Sequence, residues 1–119
     1  MADYERVLEG IQNEVNGFIG ASIVDLESGM TLASRSASPD FDLEVASAYN
    51  SEMVKGKFKT MEALRLDSTL EDMLLTLSDQ LHLIKLLDSS TAFIYVAASR
   101  ANTNLALLRR SVNEHTKAA

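Results

Sequence analysis

The residues equipped for chemistry are few and scattered. The two histidines are His82 and His115. His82 lies in LHLIKL, where strand alternation sets it opposite Leu81 and Leu83 and on the face of Ile84 and Leu86. A histidine there can titrate near neutrality or pass a proton. No serine–carboxylate set or metal-ligand spacing accompanies it, so the pattern favours a structural histidine with a satisfied hydrogen bond. His115 falls near the end of a C-terminal helix, where a cation is favourable. Asp25, Glu27 and Asp79 are the carboxylates to weigh as an acid–base pair. Each sits in a turn sequence, where such side chains bond locally to the backbone. Cysteine is absent, which excludes disulfides, thiol catalysis and thiolate metal sites. Gly17-Phe18-Ile19-Gly20 is no phosphate loop, since G-x-x-x-x-G-K-[ST] occurs nowhere. These residues predict no catalytic site, no cofactor and no metal.

Charge points the same way. The net charge is −6 over 119 residues, the reverse of the basic footprint a nucleic-acid binder needs, and it disfavours anionic membranes. The one local basic run is Lys55-Gly56-Lys57-Phe58-Lys59. Lys55 and Lys59, four apart, fit a solvated helix face, whereas Lys57 points nearer the apolar flank and is the better candidate for contact with an acidic partner. Arg109-Arg110 reads as solvated charge in the second half of a helix. Met53, Met61 and Met73 are adaptable side chains suited to a core or to a contact surface. The first residues, MADYERVLEG, do not read as a signal peptide, and no apolar run approaches the ~20 residues of a membrane span. A cytoplasmic location is therefore expected.

These side chains must be positioned by a layered fold. Asp3 to Asn16 predicts a helix, with Tyr4, Val7, Leu8, Ile11 and Val15 on one stripe and a stop at Asn16-Gly17. Phe18 to Leu26 and Met30 to Arg35 predict a hairpin around Glu27-Ser28-Gly29, where glycine tolerates a positive φ. In the first strand, Ile19, Ala21 and Ile23 share one face and Phe18, Gly20 and Val24 the other. Both faces are apolar, as in a central strand covered on both sides.

Asp40 to Leu66 predicts a long helix of about seven turns, capped by Asp40 or Asp42. Its polar residues Glu44, Ser51, Glu52, Lys55, Lys59 and Glu62 fall in one sector. Leu43, Val54, Phe58 and Met61 share one apolar part, and Ala46, Tyr49, Met53 and Leu64 share another. A helix that only covers its sheet needs one stripe, so the second predicts another protein surface, most simply a second subunit.

Leu70 to Leu77, Leu81 to Leu87 and Ala92 to Ala98 predict three more strands, and Asn102 to Lys117 a last helix with Ala101, Leu105, Leu108 and Val112 on one stripe. Its tail, His115 to Ala119, is expected to fray. The short turns make neighbouring strands antiparallel. The result is one α/β domain over residues 1–119, a three-layer sandwich.

Three segments together resemble the roadblock family, the family of the roadblock dynein light chains: GASIVDLESGMTLAS (Gly20 to Ser34), EDMLLTLSDQLHLIKLL (Glu71 to Leu87) and FIYVAASRANTNLALLRRSV (Phe93 to Val112). Ala97-Ala98-Ser99-Arg100 departs from the pattern, since members often carry an acidic residue before the last helix. The resemblance implies a five-stranded antiparallel sheet in the order 2-1-5-4-3, the long helix on one face and the terminal helices on the other. It implies a homodimer in which the third strand pairs with its copy and the long helices lie side by side. The implied interface is Ala46, Tyr49, Asn50, Met53 and Lys57 with Glu71, Met73, Leu74, Leu75 and Thr76. Prokaryotic members regulate Ras-like small GTPases, which implies such a GTPase as partner, met around Tyr49, Asn50, Met53 and Lys57. A scaffold subunit of a larger assembly, as in the dynein light chain, is the alternative. An enzyme or ligand sensor would instead need a polar-lined pocket.

Overall fold

The computed structural model describes residues 3–89 and 91–117. The chain runs α1 (Tyr4–Glu14), β1 (Phe18–Asp25), β2 (Thr31–Ser36), α2 (Leu43–Ala63), β3 (Asp72–Thr76), β4 (Gln80–Leu86), β5 (Ala92–Ser99) and α3 (Leu105–Thr116). The five strands form one antiparallel sheet in the order β2-β1-β5-β4-β3. The terminal helices cover one face and α2 the other. This is the predicted architecture.

Each helix start is a side-chain cap. Asp3, Asp42 and Asn104 accept the amides of Arg6, Val45 and Leu107, each at 3.1 Å. The long helix is shorter than predicted, because Asp42 takes the cap and residues 37–42 form its entry loop. The last helix likewise starts at Leu105, since a 3-10 turn occupies Arg100–Asn102 and leaves Ala101 exposed outside the stripe. Gly29 closes the β1–β2 hairpin at φ +75° and Gly17 ends the α1 connection at φ +78°.

The core has two layers. Val7, Leu8 and Ile11 of α1 and Leu108 and Val112 of α3 meet Ala21, Ile23, Leu83, Ile94 and Val96 on one sheet face. Leu43 and Val54 of α2 meet Val24, Ile84, Phe93 and Tyr95 on the other. All of β5 except Ser99 is buried, as a central strand covered on both faces must be.

Two face assignments differ from the sequence pattern. Ile19 joins the α2 layer and Phe18 the α1–α3 layer, the reverse of simple alternation. The β1–β5 register slips between Phe18 and Gly20, and that one irregularity exchanges the faces on either side of it. Ser51, assigned to the polar sector of α2, is 1% exposed and donates to the Ser47 carbonyl at 3.0 Å. Ser47 is itself buried, with its hydroxyl 3.2 Å from Ser22 and 3.0 Å from Thr31. These small residues, with Gly29 beside Ser51 and Ala48, bring the backbone of α2 close to β1 and β2.

Candidate functional site

That small-residue seam decides what α2 leaves uncovered. The helix sits close over the β2–β1 side of the sheet. Toward β4 and β3 the same layer is bordered by longer side chains that are only partly buried: Met53 and Phe58 of α2, Leu70, and Met73 and Leu75 of β3. Met53, Met73 and Leu75 therefore rim one apolar cluster from two elements.

The predicted interface residues fall on these two features. Ala46, Asn50, Met53 and Lys57 follow one another along a single flank of α2, with Lys57 exposed and the other three half-buried. Tyr49 stands outside that flank at 74% exposure, next to Val45 at 51%. Sequence reasoning left out Val45, although its spacing of four from Tyr49 places it on the same outer face. Gly56 lies on that side too, and nothing stands within 4 Å of where its Cβ would be. Among the described residues, no packing calls for glycine there.

Met73, Leu74 and Leu75 are half-buried in β3 and Thr76 is exposed at its end. Leu74 faces the α1–α3 layer, while Met73 and Leu75 face the α2 layer. Glu71 is exposed and precedes the strand, which begins at Asp72, although its carbonyl accepts the Leu86 amide at 3.1 Å. The two sheet edges differ. Along β2 the register slips between Ile23 and Val24 and Leu32 has no cross-strand partner, which blunts that edge. Along β3 every residue from Asp72 to Thr76 is paired with β4 in unbroken register, so its outer edge is regular and apolar.

The titratable groups serve local structure. Asp25 accepts the Ser28 hydroxyl at 2.6 Å and its amide at 2.9 Å, and these bonds hold its carboxyl below the usual range. Lys55, assigned to solvent, reaches the Glu27 carbonyl at 2.8 Å and ties α2 to the hairpin. His82 is half-buried, with Nε2 2.7 Å from Gln80 Oε1 and Nδ1 3.3 Å from the Tyr95 hydroxyl. Its hydrogen bonds are satisfied, as the sequence reading expected. Burial lowers its pKa against the opposing charge of Asp79.

Ser111, Glu14 and His115 line an open groove of about 630 Å³ between α1 and α3, together with Leu107, Arg110 and Glu114. The residue types are those of a hydrolase triad, but the order is wrong. The Ser111 hydroxyl and His115 Nε2 both contact Glu14 Oε1, each at 2.8 Å, so the serine does not face the base. Those two bonds lower the Glu14 pKa. Among the described residues, no group of three or more His, Cys, Asp or Glu side chains is placed to hold a metal ion, and no helix is long and apolar enough to cross a membrane. No buried side-chain polar atom among them lacks a hydrogen-bond partner.

Fold and surface thus define a class: a packed α/β sandwich whose exposed features include a helix flank around Met53 and a regular sheet edge. The chain has the roadblock fold. It is similar to a Roadblock/LC7 domain from Streptomyces avermitilis, with TM-score 0.83 and 16% identity over 98% of this chain and 93% of that one. It is also similar to MglB of Myxococcus xanthus, with TM-score 0.75 and 12% identity over 93% and 83% of the two chains. For the gliding protein MglB of Thermus thermophilus the TM-score is 0.79 and the identity 14%, over 95% and 82%. No family model matches the sequence, and no curated protein does.

Proposed function

We propose that this chain, a single roadblock-like domain over residues 1–119, acts as a cytoplasmic homodimer without enzymatic activity of its own. In this reading it binds a Ras-like small GTPase and modulates its nucleotide cycle. The observation that carries the proposal is the apolar rim of Met53, Met73 and Leu75, which two neighbouring elements leave half-covered beside a regular strand edge. Pairing β3 with its copy across a two-fold would satisfy that edge. It would also bring the flanks of two α2 helices together over the joined sheet.

The paired helices then present Tyr49 on their outer face, with Asn50, Met53 and Lys57 along the seam between them, to the GTPase. The regulation would work by tighter binding to one switch conformation than to the other. A difference of ~1.4 kcal/mol shifts that equilibrium about tenfold. An arginine supplied in trans is not part of this reading: Arg100, in the turn after β5, bonds the Leu77 carbonyl at 3.2 Å.

The test is GTP hydrolysis and nucleotide release by a cognate Ras-like GTPase, measured with and without the protein. A changed rate, abolished by Tyr49→Ala, is the expected result. Binding with no change in either rate would replace regulation with a scaffold role, and absence of binding would end the proposal.

A further inference from the structure

Gly56 weakens the helix that carries it, and nothing inside the chain explains its presence. It lies in the interior of α2, where glycine is the poorest helix former after proline. Its φ is outside the left-handed region, unlike those of Gly17 and Gly29. Nothing stands within 4 Å of the place its Cβ would take. Gly10, the helical glycine of α1, is the opposite case, since a Cβ there would come within 2.4 Å of the His115 ring. Packing requires one of these glycines and makes no use of the other.

The neighbouring side chains leave the position bare. At 100° per residue, Gly56 shares the outer face of α2 with Val45 and Tyr49, directed away from the sheet. Thr60, one turn on, folds its hydroxyl back onto the Gly56 carbonyl at 3.0 Å, so its side chain lies against the helix. Glu52, one turn back, reaches Lys55 at 3.8 Å, and Lys55 is held by the Glu27 carbonyl at 2.8 Å. The outcome is a notch in the helix surface between Tyr49 and Thr60.

The charge left over at this notch has one sign. Glu52 and Lys55 offset each other. Lys57 and Lys59 border Gly56 on its two sides, and both are exposed. Among the described residues, neither belongs to an ion pair. Two unmatched ammonium groups beside bare backbone suit an acidic segment whose own main chain comes close. The chain as a whole carries −6, so an acidic partner is repelled elsewhere and steered to this face.

We propose that Gly56 is the point of closest approach for an acidic main-chain segment of a partner protein, which rests on the bare helix between Lys57 and Lys59. The assignment rests on the reading of α2 as the GTPase contact surface. It adds which part of the helix the partner touches most closely and what charge the partner brings. Alanine at this position should therefore fold better and bind worse.

The test compares the full wild-type chain with Gly56→Ala, in thermal denaturation and in calorimetric binding to a cognate Ras-like GTPase. The variant should melt about 4 °C higher, as replacing an exposed helical glycine does. Light scattering should show its oligomeric state unchanged. Binding should weaken about tenfold, because the added methyl group holds the segment off the helix. Lys57→Gln and Lys59→Gln should each weaken binding at low salt and match wild type at ~1 M salt, where the screening length is about 3 Å. Equal binding by Gly56→Ala would overturn this assignment and leave the GTPase reading standing. A lower melting temperature or an altered oligomeric state would overturn it too, by giving the glycine a role within the fold or the dimer. Lysine variants that bind like wild type at every salt concentration would rule out an acidic segment. A wild-type chain that binds no GTPase would sink both readings.

Discussion

Arg109 and Asp72 form a two-pronged ion pair that fastens α3 to the first residue of the edge strand β3. Arg109 Nε and Nη2 donate to the two carboxylate oxygens of Asp72, each at 3.0 Å. The hydrogen bonds to Asp72, and then its charge, raise the arginine pKa still further. Planar guanidinium matches carboxylate in a way a lysine cannot.

Breaking that fork should cost about 1 kcal/mol, because both partners are partly exposed and solvent screens the pair. Arg109→Lys keeps the charge and should lose most of this, lowering the melting temperature by about 4 °C in thermal denaturation. Amide exchange should quicken chiefly in β3 and its partner β4. Uniform acceleration across all five strands would show that the pair supports the whole sheet and not this edge.

The proposed dimer has its own test. Met73→Lys or Leu75→Lys places a charge on the apolar rim beside the open edge, and Met53→Glu does so from the helix side. Each should give monomer or aggregate in light scattering, because an unpaired charge buried in an apolar contact costs several kcal/mol. Far-ultraviolet circular dichroism separates the two failures, since a folded monomer retains the native spectrum. Three unchanged dimers would rule this interface out.

Strand count and the three hairpins were legible in the sequence because each strand is bounded by turn residues and the two most buried read as continuous apolar runs, while the strand order came from the family resemblance. The departures share one cause: they depend on what a residue meets across layers. A register slip at Ile19 leaves no mark in the apolar pattern, since Phe18 and Ile19 suit either face. Ser47 and Ser51 look solvent-bound until Ser22 and Thr31 are placed opposite. Arg109 reads as one more helix cation until Asp72, far away in sequence, is brought beneath it. The proposed contact residues of the flank came from the width of the apolar face and the family resemblance.

Arg65 offers a stabilising change. It closes α2 in the left-handed region at φ +56°, with the Leu66 amide bonded to the Met61 carbonyl and its own amide to the Glu62 carbonyl, each at 3.0 Å. That is the Schellman arrangement, in which glycine usually holds this position. Arg65→Gly relieves about 1 kcal/mol of strain and returns part of it as entropy of the unfolded chain. The net gain should be about 0.5 kcal/mol, read as a higher urea midpoint with unchanged slope. A lower midpoint would mean that the arginine side chain contributes contacts exceeding the strain.

Acid should weaken the fold in two steps. Unfolded, His82 takes its proton near ~6.5; folded, burial delays that to lower pH. Between the two values the unfolded chain binds more protons, so stability rises with pH. The contribution is complete above the unfolded value and is lost as pH falls from it through the folded one. Glu14 and Asp25 act lower on the scale. Their folded values are depressed, so the stability they add is present above the ordinary carboxylate values and lost as pH falls through the depressed ones. Urea midpoints measured from pH 8 down to pH 3 should therefore fall first below pH ~6.5 and again below pH ~4. His82→Gln should flatten the first step and leave the second. A first step that survives the substitution would assign it to a group other than His82.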